Sequence, residues 1–268
     1  MNKNIGIMGC GWLGLALAKS LIQDGYFVHG TTTSEEKLTV LEKEGIHPFH
    51  ITLSDTAIQG PITDFLNSCE TLVVNVPPKL RGSGPNVSYV GKMRLLLNHI
   101  KESTLKQVVL VSSTSVYADT QGNVTEETIP KPTSESGRQL IESEQLFKHQ
   151  TTINPTIVRF GGLIGPDRNP VTMLSRKEFL SDGTAPVNLI HKNDCIRILT
   201  AIIKEDQWGE TFNAVHPNHP EKQHYYPEKA KSKGLKLPYY ETSENKTYKT
   251  ITSCKPFLAK LYADFTPL

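Results

Sequence analysis

Ile5-Gly6-Ile7-Met8 runs directly into Gly9-Cys10-Gly11-Trp12-Leu13-Gly14, and no other stretch restricts the chain as much. A Gly-x-Gly-x-x-Gly run on its own is a weak signal. Placed between a strand and a helix, each glycine acquires a separate reason. Gly9 permits a tight turn, Gly11 lets the backbone approach a pyrophosphate, and Gly14 lets the helix close onto the strand. The helix reads from Leu13 to Ile22, with Leu13, Leu17 and Leu21 along one side. Its unpaired N–H groups and partial positive charge suit the same phosphates, with Trp12 and Leu13 on the ligand-facing turn.

Downstream, short β-branched runs alternate with helical patterns. Tyr26 to Val28 reads as a second strand. Thr33 with Glu36 forms a capping box for a second helix that Gly45 ends. His47 to Leu53 reads as a third strand, weakened by Pro48, and Leu72 to Val76 as a fourth, apolar enough to be buried on both faces. Val90, Met93, Leu96, Leu97 and Ile100 form a helical stripe within Tyr89 to Ile100. Val108 to Val111 and Ile157 to Phe160 read as strands, with a helix through Leu140 to Phe147 between them. This alternation predicts an α/β fold: a Rossmann-type, doubly wound parallel sheet with a smaller C-terminal substrate lobe. The expected division is 1–165 for the nucleotide domain and 166–268 for the lobe. That boundary is soft, because later segments could complete the sheet.

The identity of the dinucleotide turns on the end of the second strand, where NAD sites usually carry an acid. Here the chain has His29-Gly30-Thr31-Thr32-Thr33-Ser34, with no acid before Glu35. The hydroxyls of Thr31, Thr32, Thr33 and Ser34, with Lys37 a turn later, favour the 2′-phosphate of NADP, NAD remaining the alternative.

Bulk properties exclude other classes. A net charge of +2 makes no electrostatic case for nucleic acid or an anionic membrane. The four cysteines (Cys10, Cys69, Cys195, Cys254) lie far apart, without metal or disulfide spacing, and no metal site is expected. No window approaches a membrane span, so a cytoplasmic protein with a small-molecule substrate is expected. Tyr225, Tyr226, Tyr239 and Tyr240 could line a substrate cleft or fill a small core.

Several ordered segments resemble the extended short-chain dehydrogenase/reductases, the NAD-dependent epimerase/dehydratase family. They are Val111-Ser112-Ser113-Thr114-Ser115-Val116-Tyr117, Arg159-Phe160-Gly161-Gly162-Leu163-Ile164-Gly165-Pro166, Asn188-Leu189-Ile190-His191-Lys192-Asn193-Asp194 and Phe212-Asn213. Val74-Asn75-Val76-Pro77-Pro78 resembles a segment of an atypical branch, which places Asn75, Val76 and Pro77 against the nicotinamide-side ribose. The resemblance implies a catalytic Ser and a Tyr-x-x-x-Lys. Ser113 fills the serine position. Counting back from Glu142 puts the Tyr position on Ser134 and the Lys position on Arg138, so the tyrosine is absent. Arg138 could contact ribose or phosphate but cannot exchange a proton at neutral pH. Tyr117 is the nearest remaining phenol and the expected acid, or else an aromatic that packs; Glu135 is a further candidate base. The resemblance therefore implies an NAD(P)-dependent oxidoreductase or epimerase-like enzyme acting on a small hydroxyl, carbonyl or sugar-nucleotide compound. A dinucleotide-binding sensor without catalysis is the alternative. The resemblance also makes a homodimer an expected possibility.

Overall fold

The computed structural model describes residues 3–78, 87–177, 179–241 and 246–268. The first half contains β1 (Asn4–Met8), α1 (Gly14–Gln23), β2 (Phe27–Thr32), α2 (Glu36–Lys43) and β3 (His47–His50). A small antiparallel pair, β4 (Thr52–Leu53) and β5 (Ile58–Gln59), leads to α3 (Ile62–Asn67) and β6 (Thr71–Val74). Then follow α4 (Tyr89–Lys101), β7 (Gln107–Ser113), β8 (Asn123–Val124), α5 (Glu135–Lys148) and β9 (Asn154–Phe160). The remainder holds β10 (Gly162–Ile164), α6 (Val171–Leu174), β11 (Leu189–His191), α7 (Lys192–Lys204), β12 (Thr211–Ala214), α8 (Lys222–Ser232), β13 (Thr250–Ile251) and α9 (Pro256–Leu261). Among the described residues no helix is long and apolar enough to cross a membrane.

Seven strands form the central sheet in the order β12-β9-β7-β6-β1-β2-β3, and the pairs from β3 to β7 are parallel. The chain starts in the middle and winds outward through β2 and β3. It then returns to the other side of β1 with β6. A doubly wound sheet reverses direction at such a point, and ligands bind where the carboxyl ends of the two central strands separate. Here those ends are the Gly9 turn after β1 and the Asn75 loop after β6. The apolar runs of β1, β6 and β7 are buried because helices cover the sheet: Ile5, Ile7, Leu72, Val73, Val74, Val108 and Val109 have no exposed surface.

Compact packing divides the chain into two interleaved units. The first comprises Met1–Val116, Pro132–Arg159 and Ile196–Phe212; the second comprises Tyr117–Lys131, Phe160–Cys195 and Asn213–Leu268. Most of α7 and the start of β12 thus rejoin the first unit after residue 165. In the second unit, β10 pairs with β11 and β8 with β13, both in parallel. Tyr225 and Tyr226 pack there with Ile164, Val171, Val187 and Leu189, while Tyr239 stays exposed.

Three local expectations need correction. The second strand runs on to Thr32, so Thr31 and Thr32 are strand residues. The third strand stops at His50. Pro48 is tolerated inside it because β3 is a sheet edge, where a missing N–H costs no ladder bond. Finally, Thr33 does not cap α2. The N-cap position is Glu35 with no side-chain cap bond, and Thr32 Oγ1 instead accepts from Ser34 N at 3.2 Å, closing a local hydroxyl turn ahead of the helix.

Candidate functional site

In the first unit, the turn after β1 is held from both flanking strands. Gly9 N donates to Thr31 Oγ1 at 2.9 Å and Cys10 N to the Thr31 carbonyl at 2.9 Å, both from the β2 side. From the β6 side, Asn75 N donates to the Met8 carbonyl at 2.9 Å and Asn75 Nδ2 to the Gly9 carbonyl at 3.2 Å. Gly9 sits at φ +102°, which only glycine adopts without strain. A Cβ on Gly14 would overlap the Gly9 carbonyl oxygen and approach Asn75 Nδ2 to 3.1 Å. A Cβ on Gly11 would meet nothing within 4 Å. The three glycines therefore do three different things: one turns, one leaves space, one packs. No side chain caps α1 and its first turn carries no acid, so its N-terminus presents an uncompensated positive end. Trp12 is half-buried beside this turn, and Leu13, at the N-cap position of α1, is buried.

Two structural roles in this cradle were not read from the sequence. Cys10 is buried and occupies the space left by Gly30, where a Cβ would lie 2.5 Å from its Sγ. Burial pushes the Cys10 thiol up to about 12, so it is a packing group and not a nucleophile. Thr31 is the second. Its hydroxyl is buried and faces Met8 Sδ and Gly9 N, which makes it a brace for the turn and removes it from any ribose-phosphate role. Thr32 is likewise buried and engaged by Ser34. Of the hydroxyl run, Thr33 is exposed and Ser34 half-buried, with Lys37 exposed one turn along. Val76 is half-buried and Pro77 exposed on the loop after β6.

Ser113 ends β7 half-buried, and its Oγ accepts from Ser115 N at 3.2 Å, opening the short 3-10 turn Thr114–Val116. That bond uses a lone pair and leaves the Ser113 proton to donate elsewhere. Ser134 is the N-cap of α5, its Oγ accepting from Gly137 N at 3.1 Å. The position of the missing tyrosine has thus become a helix cap. Arg138 is exposed and engaged locally, donating to Glu135 Oε2 at 3.0 Å and to the Thr133 carbonyl at 3.1 Å. Glu135 is no base. Hydrogen bonds from Gln139 and then Arg138 hold its exposed carboxyl below the usual range, the opposite of the shift a general base needs. The carboxylate that α5 buries is Glu144, two residues beyond the one that set the register. Counting from Glu144 would put the Tyr position on Ser136 and the Lys position on Leu140. Both motif side chains are missing on either count.

In the second unit, Tyr117 is 1% exposed and its hydroxyl lies 3.0 Å from both the Thr125 carbonyl and Asn213 Oδ1. Its one proton is shared between buried acceptors, so the expected acid is a structural tyrosine that pins the 117–131 segment. Glu126 completes that pin by accepting from Asn213 N at 2.8 Å and Cys254 N at 2.9 Å, with Ser253 Oγ also bound to it. Tyr117→Phe should cost about 1–3 kcal/mol by orphaning those acceptors. Denaturant titration checks this, with cofactor affinity expected to stay unchanged.

The model of the NAD dependent epimerase/dehydratase family matches residues 5–214. This chain belongs to that family. Protein YeeZ of Escherichia coli strain K12 is 31% identical over 242 residues, spanning 90% of this chain and 88% of the relative. A protein described as an uncharacterized UDP-glucose epimerase, YtcB of Bacillus subtilis strain 168, is 30% identical over 135 residues, 45% of this chain and 43% of its own. Among solved structures, UDP-glucuronic acid 4-epimerase from Bacillus cereus, in complex with NAD, superposes with a TM-score of 0.78 at 19% identity. That match covers 99% of this chain and 92% of the other, and it establishes the shared fold.

Proposed function

We propose that the chain binds NADP(H), or alternatively NAD(H), on the Gly9–Gly14 turn and acts as an oxidoreductase or epimerase-like enzyme on a small hydroxyl or carbonyl compound of the sugar-nucleotide class. The observation that carries this reading is the open space at Gly11, flanked by a strained Gly9 and a tightly packed Gly14. A turn that bound nothing would have no reason to keep Gly11 empty. Backbone N–H groups of the α1 N-terminus would hold the pyrophosphate, and the loop Asn75-Val76-Pro77 would border the nicotinamide-side ribose. When bound, the nicotinamide supplies or accepts a hydride at the substrate carbon. Ser113, with its proton uncommitted, would donate to the substrate oxygen and orient it.

The preference for NADP(H) rests on the absence of any acid between His29 and Ser34. The exposed Thr33 and Lys37 and the half-buried Ser34 remain as partners for a 2′-phosphate. NADPH should bind at least roughly tenfold tighter than NADH, a difference of about 1.4 kcal/mol. Fluorescence titration of both reduced cofactors checks it, and equal or inverted affinities would refute the assignment.

The substrate class is suggested by the relatives described as acting on UDP-sugars. A second reading, a cofactor-binding sensor without turnover, is favoured by the capped Ser134 and the buried Tyr117, which leave no tyrosine of the usual motif to move a proton. Hydride consumption on a panel of carbonyl compounds and UDP-sugars separates the two. If the chain is an enzyme, Ser113→Ala should lower kcat by roughly 10²-fold, the cost of removing one preorganised donor, with cofactor affinity retained. No consumption on the whole panel would favour the sensor.

A further inference from the structure

We propose that the second unit carries a docking face for an anionic lipid surface, in which an outward-facing apolar cluster of Met173, Phe179, Leu237 and Tyr239 is flanked by exposed cations. Seven large apolar side chains are exposed among the described residues, and these four of them belong to two short stretches of this unit. Met173 and Phe179 lie in and just after α6, and Leu237 and Tyr239 follow α8.

The two stretches are fixed side by side. Leu180 N donates to the Tyr239 carbonyl at 3.0 Å and Glu241 N to the Leu180 carbonyl at 2.9 Å. The Phe179 and Tyr239 rings meet edge to face at 6.2 Å between centroids. None of the four can turn inward, because their neighbours have taken the interior: Leu174, Leu235 and Tyr240 pack on the core built around Tyr225 and Tyr226. One side of each stretch fills that core and the other is left to solvent. Single exposed apolar side chains are ordinary, whereas a fixed group of them marks a surface that a partner covers.

Charge sets the sign of that partner. Stretches 171–182 and 222–241 carry seven Lys and Arg against four Asp and Glu, an excess of three in a chain whose total is only +2. The small net charge of the whole chain therefore hides a local asymmetry. Arg176 and Lys177 stand between Met173 and Phe179, while Lys231, Lys233 and Lys236 precede Leu237, and all five are exposed. Of the acids, Asp182 is engaged by Lys246 at 3.3 Å and by the Tyr248 hydroxyl at 2.9 Å. A second copy of this face would meet it with like charge, so the occupant is anionic. Four of the five flanking cations are lysines or lie beside one, and lysine is depleted at protein–protein interfaces. A headgroup layer instead suits point charges on long flexible stems. Phe, Tyr, Leu and Met enter the boundary between headgroups and acyl chains while the ammonium groups stay with the phosphates.

The test is cosedimentation of the full chain with vesicles of phosphatidylglycerol in phosphatidylcholine, against vesicles of phosphatidylcholine alone. The mixed vesicles should bind it saturably and release it at raised salt, and the neutral ones should leave it in solution. Phe179→Ser combined with Tyr239→Ser should weaken binding about tenfold or more, and Lys233→Gln and Lys236→Gln about fivefold each. Val40→Ser, which removes an exposed apolar side chain from the first unit, should change nothing. Every substituted side chain is exposed, so the thermal midpoints should stay at the parent's value. No binding to the mixed vesicles would overturn the proposal. So would equal binding to phosphatidylcholine alone, binding that the Phe179 and Tyr239 changes leave intact, or a dimer in solution that those changes dissolve. NADPH and NADH titrations without vesicles should be unchanged in all variants, so failure here is distinguishable from failure of the dinucleotide reading.

Discussion

Gly11→Ala is expected to fold with unchanged stability yet lose dinucleotide binding, whereas Gly14→Ala should lose both. The two positions lie three residues apart in one motif, and conservative substitution of either adds a single methyl. Their surroundings differ. A methyl on Gly11 meets no heavy atom within 4 Å, and Gly11 is not among the residues held at positive φ, so the protein itself tolerates alanine. Surface changes of this kind usually stay within about 0.5 kcal/mol. The same methyl occupies the space in which a pyrophosphate must approach the backbone, so affinity for NADPH or NADH should fall at least tenfold, about 1.4 kcal/mol. At Gly14 the methyl collides with the Gly9 carbonyl, backbone that cannot swing aside. Overpacking of this sort costs about 1–3 kcal/mol, and relieving it would displace α1 from β1 and spoil the turn. Thermal melts with cofactor titration on both variants decide the matter. A Gly11→Ala protein that binds as well as the parent would remove the physical basis for placing the cofactor at this turn.

The parts of the molecule that could be read from residues alone are those where one local rule decides. The Gly9–Gly14 turn was legible because strand, glycine spacing and helix follow within ten residues. The parallel sheet was legible because β1, β6 and β7 are apolar runs that only a doubly covered sheet explains. Thr31 was misassigned because its hydroxyl has two destinations, outward to a phosphate or inward to Gly9 N, and periodicity does not say which. The capping box at Thr33 failed for a related reason: the helix begins later than the box requires, with Glu35 at its N-cap position, and the hydroxyl turn that precedes it is closed by Thr32 on Ser34 N. Tyr117 and Glu126 were illegible as a pair because their partners, Asn213 and Ser253, lie about ninety or more residues away in sequence. Glu144 carried a signal that went unused. Arg159 stands between Val158 and Phe160 in a strand that is buried from Thr156 onward, and an arginine there needs a buried anion.

That anion is the source of the largest stability effect expected. Arg159 is 3% exposed and Glu144 fully buried. Their side chains are joined by Nη2 to Oε2 at 2.6 Å, Nε to Oε1 at 3.0 Å and Nε to Oε2 at 3.2 Å. Ser112 Oγ, from β7, donates to Glu144 Oε1 at 2.6 Å, so the carboxylate ties α5 to both β7 and β9. Removing one member of such a pair leaves the other charge buried without compensation, which typically costs about 3–5 kcal/mol. Glu144→Gln and Arg159→Met should each do so, lowering the midpoint of thermal unfolding by roughly 10 °C in a chain of this size. The double change Glu144→Leu with Arg159→Met is expected to recover most of the loss, because desolvating the pair has a cost of its own that apolar packing avoids. Ser112 would then lack its acceptor, and adding Ser112→Ala should recover a further about 1 kcal/mol. A double-mutant cycle of Glu144→Leu, Arg159→Met and their combination, read by urea unfolding, gives the coupling directly. Single variants that lose less than 1 kcal/mol would mean that water reaches the pair and that β7, α5 and β9 are held together by apolar packing alone.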